Sequence, residues 1–246
     1  MPSRIFINAP LVEAVFEIRF KDPKAINYDI FVGELYSKLK KKFPISEALK
    51  PQEVPAFLLP YIVQHRFRSV QNGYPLYQTG PGLLSFNIDG VSYKNNGGWL
   101  YYKKLISSFV GTVENVAADK FLSENIAKIS LRYVNKIVDP GMYSDIKNYF
   151  SEKLGTQINL NFSTDVSCLN NLENTALSQT YVQENNQIIF NLKTITEGTR
   201  KILLDITCES SGEVNIENFS SWLNNAHSNI EKIFLGTTKN ITTLFS

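Results

Sequence analysis

Histidine and cysteine are scarce, with two of each among 246 residues. Few histidines leave little of the side chain on which most acid–base catalysis near neutral pH relies. Cys168 and Cys208 are too few for a disulfide scaffold and lack the CxxC or Cys/His spacing of a zinc site. Neither sign of charge dominates: 25 basic residues face 23 acidic ones, net +2, without the basic excess of a dedicated nucleic-acid binder. No apolar run approaches the ~20 residues of a membrane-spanning helix. Met1-Pro2-Ser3-Arg4 does not open a signal peptide. A cytoplasmic protein with reduced, packing cysteines is expected, and the Asn-x-Ser/Thr triplets at Asn161, Asn218 and Asn240 read as accidental. There is no G-x-S-x-G, P-loop or G-x-G-x-x-G, so no cofactor is expected.

What is present is ordinary core material, 43% apolar with 16 phenylalanines and 12 tyrosines. Residues 12–20 alternate, Ala14, Phe16, Ile18 and Phe20 against Glu13, Val15, Glu17 and Arg19, as a half-buried strand does. A helical stripe follows at Tyr28, Phe31, Val32, Leu35, Leu39 and Phe43, ended by Pro44. The run Lys38-Leu39-Lys40-Lys41-Lys42 reads as a solvated helix end favoured by the helix dipole, with a phosphate-binding patch as the other use. The proline-rich stretch 45–60 predicts an irregular connection. Short strands are predicted over 61–70, 75–79, 83–88 and 91–94, separated by Asn72-Gly73, Gly80-Pro81-Gly82 and Asp89-Gly90. Trp99, Tyr102, Ile106, Phe109, Val110, Val113 and Val116 then mark a long helix.

The same order restarts. A strand is predicted over 127–138 and a helix over 143–154. Strands follow over 157–166, 176–183, 187–193 and 201–208, and a closing helix carries Phe219, Leu223, Ala226 and Ile230. The fold expected is α+β: two tandem β-α-β(3-4)-α repeats, residues 1–121 and 122–246, with antiparallel sheets and helices on one face. This topology resembles the duplicated TATA-binding-protein-like saddle; a single helix-grip sheet curled around one long helix is the alternative. Strand parity puts Glu13, Glu17, Arg19, Lys128, Arg132, Lys136 and Asp205 on the face opposite the helices. Mixed charges of this kind commonly make structural ion pairs, and a divalent-metal cluster of Glu13, Glu17 and Asp205 is the sharper reading. His65 reads as a core-side or rim histidine. His227 reads as a structural histidine bonded to a loop carbonyl, its Glu231 at i+4 lacking a third metal ligand. Tyr74–Tyr77 and Tyr101-Tyr102 are the aromatic positions open to base stacking.

One set of motifs spans nearly the whole chain: Asn8-Ala9-Pro10 with Glu13-Ala14, Trp99, Arg132-Tyr133-x-Asn135, Leu203-Leu204-Asp205, Trp222-Leu223, and Ala226-His227 with Ile230-Glu231-x-x-Phe234. In this the chain resembles a sporadically distributed family of uncharacterised bacterial proteins of similar length. The patchy distribution implies an accessory role in antiphage defence. Motif and parity together give Glu13, Arg19, Arg132, Asn135, Asp205 and His227 as the ligand- or partner-binding candidates, although Asn135 has the wrong parity for the polar face unless a bulge intervenes. The function expected is a non-catalytic binding or sensor module with a protein partner, such as a neighbouring gene's product, or a homodimer. A metal-dependent phosphoester hydrolase and a helix-grip lipid or metabolite carrier are the alternatives.

Overall fold

The structure, a computed structural model, describes residues 9–49, 54–117, 121–138, 146–156, 175–183, 185–197, 199–211 and 216–245. Among them, β1 (Leu11–Phe20), β2 (Ile45–Ala48), β3 (His65–Arg68), β4 (Leu76–Gly80), β5 (Leu83–Asp89), β6 (Ile126–Ile137), β7 (Ala176–Gln183), β8 (Asn186–Glu197) and β9 (Thr199–Ser210) form one open antiparallel sheet. Its order is β2-β3-β4-β5-β1-β6-β9-β8-β7. The α-helices are α1 (Tyr28–Leu39), α2 (Gly90–Asn95), α3 (Trp99–Glu114), α4 (Phe121–Asn125), α5 (Ile146–Lys153) and α6 (Phe219–Thr238). The mixed α+β class is the one the sequence implies.

The alternation in residues 12–20 does the work expected of it. Ala14, Phe16 and Ile18 are wholly buried, opposite Ile88, Phe86 and Leu84 of β5 on one side and Tyr133, Leu131 and Ile129 of β6 on the other. The stripes of α3 (Tyr102, Ile106, Phe109, Val113) and α6 (Leu223, Ala226, Ile230) join the same core. Phe16 meets Phe219 of α6 edge-to-face at 5.5 Å. Burying each such side chain contributes about 1.5–3 kcal/mol, so the β1–β6 pair at the middle of the sheet is among its most heavily committed parts. Lys38, Lys40, Lys41 and Lys42 lie exposed at the end of α1.

The differences from expectation have local causes. Residues 91–94 are helix, not strand, because Asp89 caps α2 by accepting from the Ser92 amide at 2.8 Å. The predicted strand 61–70 shortens to β3, preceded by a 3-10 turn at Leu59–Tyr61. Within the supposedly irregular stretch 45–60, Ile45–Ala48 forms β2 by pairing with β3. The α4 turn, which sequence periodicity missed, is fastened where Asn125 Nδ2 donates to the Asp22 carbonyl (3.0 Å) and the Asp22 amide donates to Asn125 Oδ1 (2.8 Å). Tyr77 and Tyr102 are buried, so they offer no stacking surface. The helix-grip alternative needs one long helix, whereas two, of 16 and 20 residues, pack on this sheet. The strand predicted over 157–166, the start of the helix predicted from 143, and Cys168 lie outside the described residues. Cys208 is buried with a free thiol pushed up to about 12 by desolvation.

Candidate functional site

The candidates from sequence fall on two faces of the sheet. On the face away from the core, Arg132 of β6 makes a two-pronged ion pair with Asp205 of β9: Nε to Oδ1 at 2.9 Å and Nη2 to Oδ2 at 2.6 Å. Lys128 pairs with Glu209 at 2.7 Å between the same strands, and Arg19 with Glu17 at 2.6 Å along β1. Glu13 is held instead by the Tyr74 hydroxyl (3.0 Å) and Asn87 Nδ2 (2.8 Å). Glu13 and Glu17 flank the position opposite Arg132, and both raise its pKa from across the β1–β6 boundary, after the larger effects of its bond to Asp205. Among the described residues no three of these carboxylates gather into a group able to hold a metal. The metal-cluster reading of Glu13, Glu17 and Asp205 is therefore corrected to separate contacts: Asp205 joins β6 to β9, Glu17 pairs within β1, and Glu13 accepts two neutral hydrogen bonds.

Because the Arg132 side chain is 48% exposed, its pair adds little stability. Arg132→Ala is expected to cost under about 1 kcal/mol, read as a small shift in urea midpoint with an unchanged slope.

Asn135 and His227 lie on the opposite, helix-facing side. A bulge does occur, but in β1 rather than β6: Leu11 pairs with Asn135 and Glu13 with Val134, leaving Val12 extra. Asn135 keeps the buried parity of Tyr133 and donates from Nδ2 to the Leu204 carbonyl at 3.3 Å. Leu11, brought by the bulge to the same side, borders the same cavity as Asn135.

That cavity, of about 120 Å³, is bounded by the end of β6, the start of β1, α2, the first turn of α3 and the middle of α6. Its walls include Ala9, Trp99, Tyr133, Asn135, His227, Ile230, Glu231 and Phe234. These residues come from four of the motifs quoted above, spread over more than half of the chain. Two larger hollows, of about 530 and 340 Å³, lie beside β7 and include from those motifs only Arg132, Leu203 and Asp205.

The polar side of the cavity is organised. Tyr93 of α2 and Tyr133 of β6 share a hydroxyl–hydroxyl bond of 3.3 Å, and Tyr133 continues to His227 Nδ1 at 2.9 Å. The imidazole lies flat on the Trp99 indole, ring centres 4.1 Å apart and 12° from parallel. His227 thus bonds a phenol rather than the loop carbonyl expected of it. Burial lowers its pKa to about 4, so the ring is neutral near pH 7. Desolvation pushes Tyr93 up to about 12 and raises Tyr133 well above the ordinary phenol value, which keeps both hydroxyls protonated. The direction of the chain sets His227 Nε2 as donor or acceptor, and among the described residues Nε2 has no partner. His65 has a comparable but separate arrangement, with the Tyr28 hydroxyl 3.1 Å from its Nδ1.

Backbone placement supports the site. Gly90 starts α2 so close to the β1 bulge that a Cβ there would stand 1.7 Å from the Leu11 oxygen. Gly97 and Gly98, at φ 98° and 65°, turn the chain into Trp99 in a conformation other residues resist. No helix among the described residues is long and apolar enough to cross a membrane. The chain matches no protein-family model, no curated protein and no solved structure.

Proposed function

We propose that this chain is a non-catalytic binding or sensor module whose ligand sits in the cavity beside Trp99 and His227. The observation carrying this reading is convergence. Segments from the start, middle and end of the chain meet there and bring one tyrosine–tyrosine–histidine chain with them. A mostly apolar pocket with a few oriented polar groups is the usual form of a small-ligand site. Its volume is near the ~150 Å³ of a cavity known to hold benzene, which sets the ligand's buried part at about one ring.

The module is also read as a duplication, divided near residues 121 and 122, in the manner of a saddle. Each first strand, β1 and β6, pairs with the last strand of its own half, β5 and β9, and with the other first strand. Each last strand leads to a long helix, α3 or α6. The cavity then lies where the two copies adjoin, and a ligand there is placed to report on their contact.

Phenol is a suitable probe of this reading, being one ring with one hydroxyl. At ten times its dissociation constant it stabilises the protein by about 1.4 kcal/mol, a rise in Tm of roughly 3–6 °C for a chain of this length. Leu235 lines the cavity, and Leu235→Trp, which fills it, is expected to abolish the rise. No rise with phenol in the millimolar range, or an equal rise in Leu235→Trp, counts against the pocket.

A further inference from the structure

Among the described residues the cavity has one acidic side chain on its wall, Glu231, one helical turn beyond His227 on α6. Among the described residues that carboxylate has no hydrogen-bond or ion-pair partner. It lies close enough to Tyr93 and Tyr133 to raise the pKa of both hydroxyls. Tyr93, Trp99, Tyr133 and Phe234 supply aromatic surface around it. The histidine is neutral, so it brings no competing positive charge. Lys94, the one lysine or arginine on the lining among the described residues, is exposed and already engaged in an interaction of its own.

Aromatic faces next to an unpaired carboxylate attract a cation by two additive effects. The ring quadrupoles attract the cation more strongly as it is desolvated, and the carboxylate contributes ordinary Coulomb attraction, stronger away from bulk water. Anions meet the opposite field. A cavity of about 120 Å³ admits a methylated ammonium or the end of an alkylammonium chain but not a large polycation.

Resting on the binding-module reading above, we infer that the pocket beside Trp99 selects an alkylammonium group, with Glu231 as its counter-ion and the aromatic side chains as its walls. The group has two possible sources, a free small amine and a lysine side chain of a partner, which share this chemistry.

Calorimetric titration of the whole chain at fixed ionic strength tests the inference. The probes are tetramethylammonium, 2,2-dimethylpropanol as its uncharged match in size, and phenol as the reporter of the pocket itself. Tetramethylammonium is expected to bind at least tenfold more tightly than the alcohol. Glu231→Gln is expected to remove that preference, so that tetramethylammonium and the alcohol bind alike. If phenol binds but tetramethylammonium does no better than the alcohol, the cation inference is wrong and the pocket stands. If the preference survives in Glu231→Gln, the assigned counter-ion is wrong. If neither phenol nor the cation binds, both readings fall together. Methylamine and a blocked Gly-Lys-Gly peptide separate the two sources: tighter binding of methylamine assigns a free amine, and tighter binding of the peptide assigns a partner's lysine.

Discussion

Gly90→Ala is expected to destabilise the protein by more than about 3 kcal/mol, near the upper end of what single substitutions do. The new Cβ would stand 1.7 Å from the Leu11 oxygen and 2.6 Å from the Leu11 carbonyl carbon. Both are backbone atoms, so no side-chain rotation relieves the contact; α2 and the β1 bulge must separate. Separation loosens the cavity, because Leu11, Gly90 and Tyr93 all border it. The comparison variant is Gly33→Ala in α1, where a Cβ meets nothing within 4 Å. There alanine is expected to add about 0.5–1 kcal/mol through its higher helix propensity. Urea unfolding of the two variants at equal slope reads the contrast directly. Equal midpoints would mean that the close approach of α2 to β1 is not a real constraint.

The second large effect is a dependence on pH that belongs to one side chain. His227 is held neutral by burial, with a folded pKa of about 4 against an ordinary 6.5. A base whose folded pKa is lowered binds more protons when unfolded, so its contribution to stability is complete above pH 6.5. That contribution is lost as pH falls from 6.5 toward 4, by about 3 kcal/mol in all. His227→Gln can still bond the Tyr133 hydroxyl but does not titrate. The variant's stability curve is therefore expected to be flatter than the native one between pH 6.5 and 4 by about that amount. Carboxylates and His65, itself lowered mainly by desolvation, titrate in both proteins and cancel in the difference. Parallel curves would place His227 in solvent rather than against Trp99.

The legible and illegible parts of this molecule divide by range. Alternation identified β1, β6 and β9 because each has one face in the core, and the three-and-four spacing identified α3 and α6 for the same reason. Parity also placed Arg132 and Asp205 on one face, where they form their ion pair. Shorter elements depart from the pattern where local chemistry overrides it. Val91-Ser92-Tyr93-Lys94 looks like a strand until Asp89 is recognised as a helix cap, a signal present in the sequence. Ile45–Ala48 is strand only because β3 is there to pair with it.

The cavity was out of reach for a different reason. Its parts, Leu11, Tyr93, Trp99, Tyr133, Asn135 and His227, were mostly visible one at a time. Their meeting depends on a bulge at Val12 and on α3 approaching α6, and neither leaves a local trace. Asn135 shows this best. Its parity is wrong for the polar face and is instead that of Tyr133, on the helix-facing side where both border the cavity.

The two tryptophans give the most direct test of that site. Trp99 stacks on His227 at the cavity, whereas Trp222 donates its indole N–H to Asn186 at the start of β8, 2.8 Å away. In a two-dimensional N–H spectrum, titration with phenol is expected to move the Trp99 indole signal saturably and leave that of Trp222 in place. Movement of neither signal, or of both to the same extent, would contradict a ligand pocket beside Trp99.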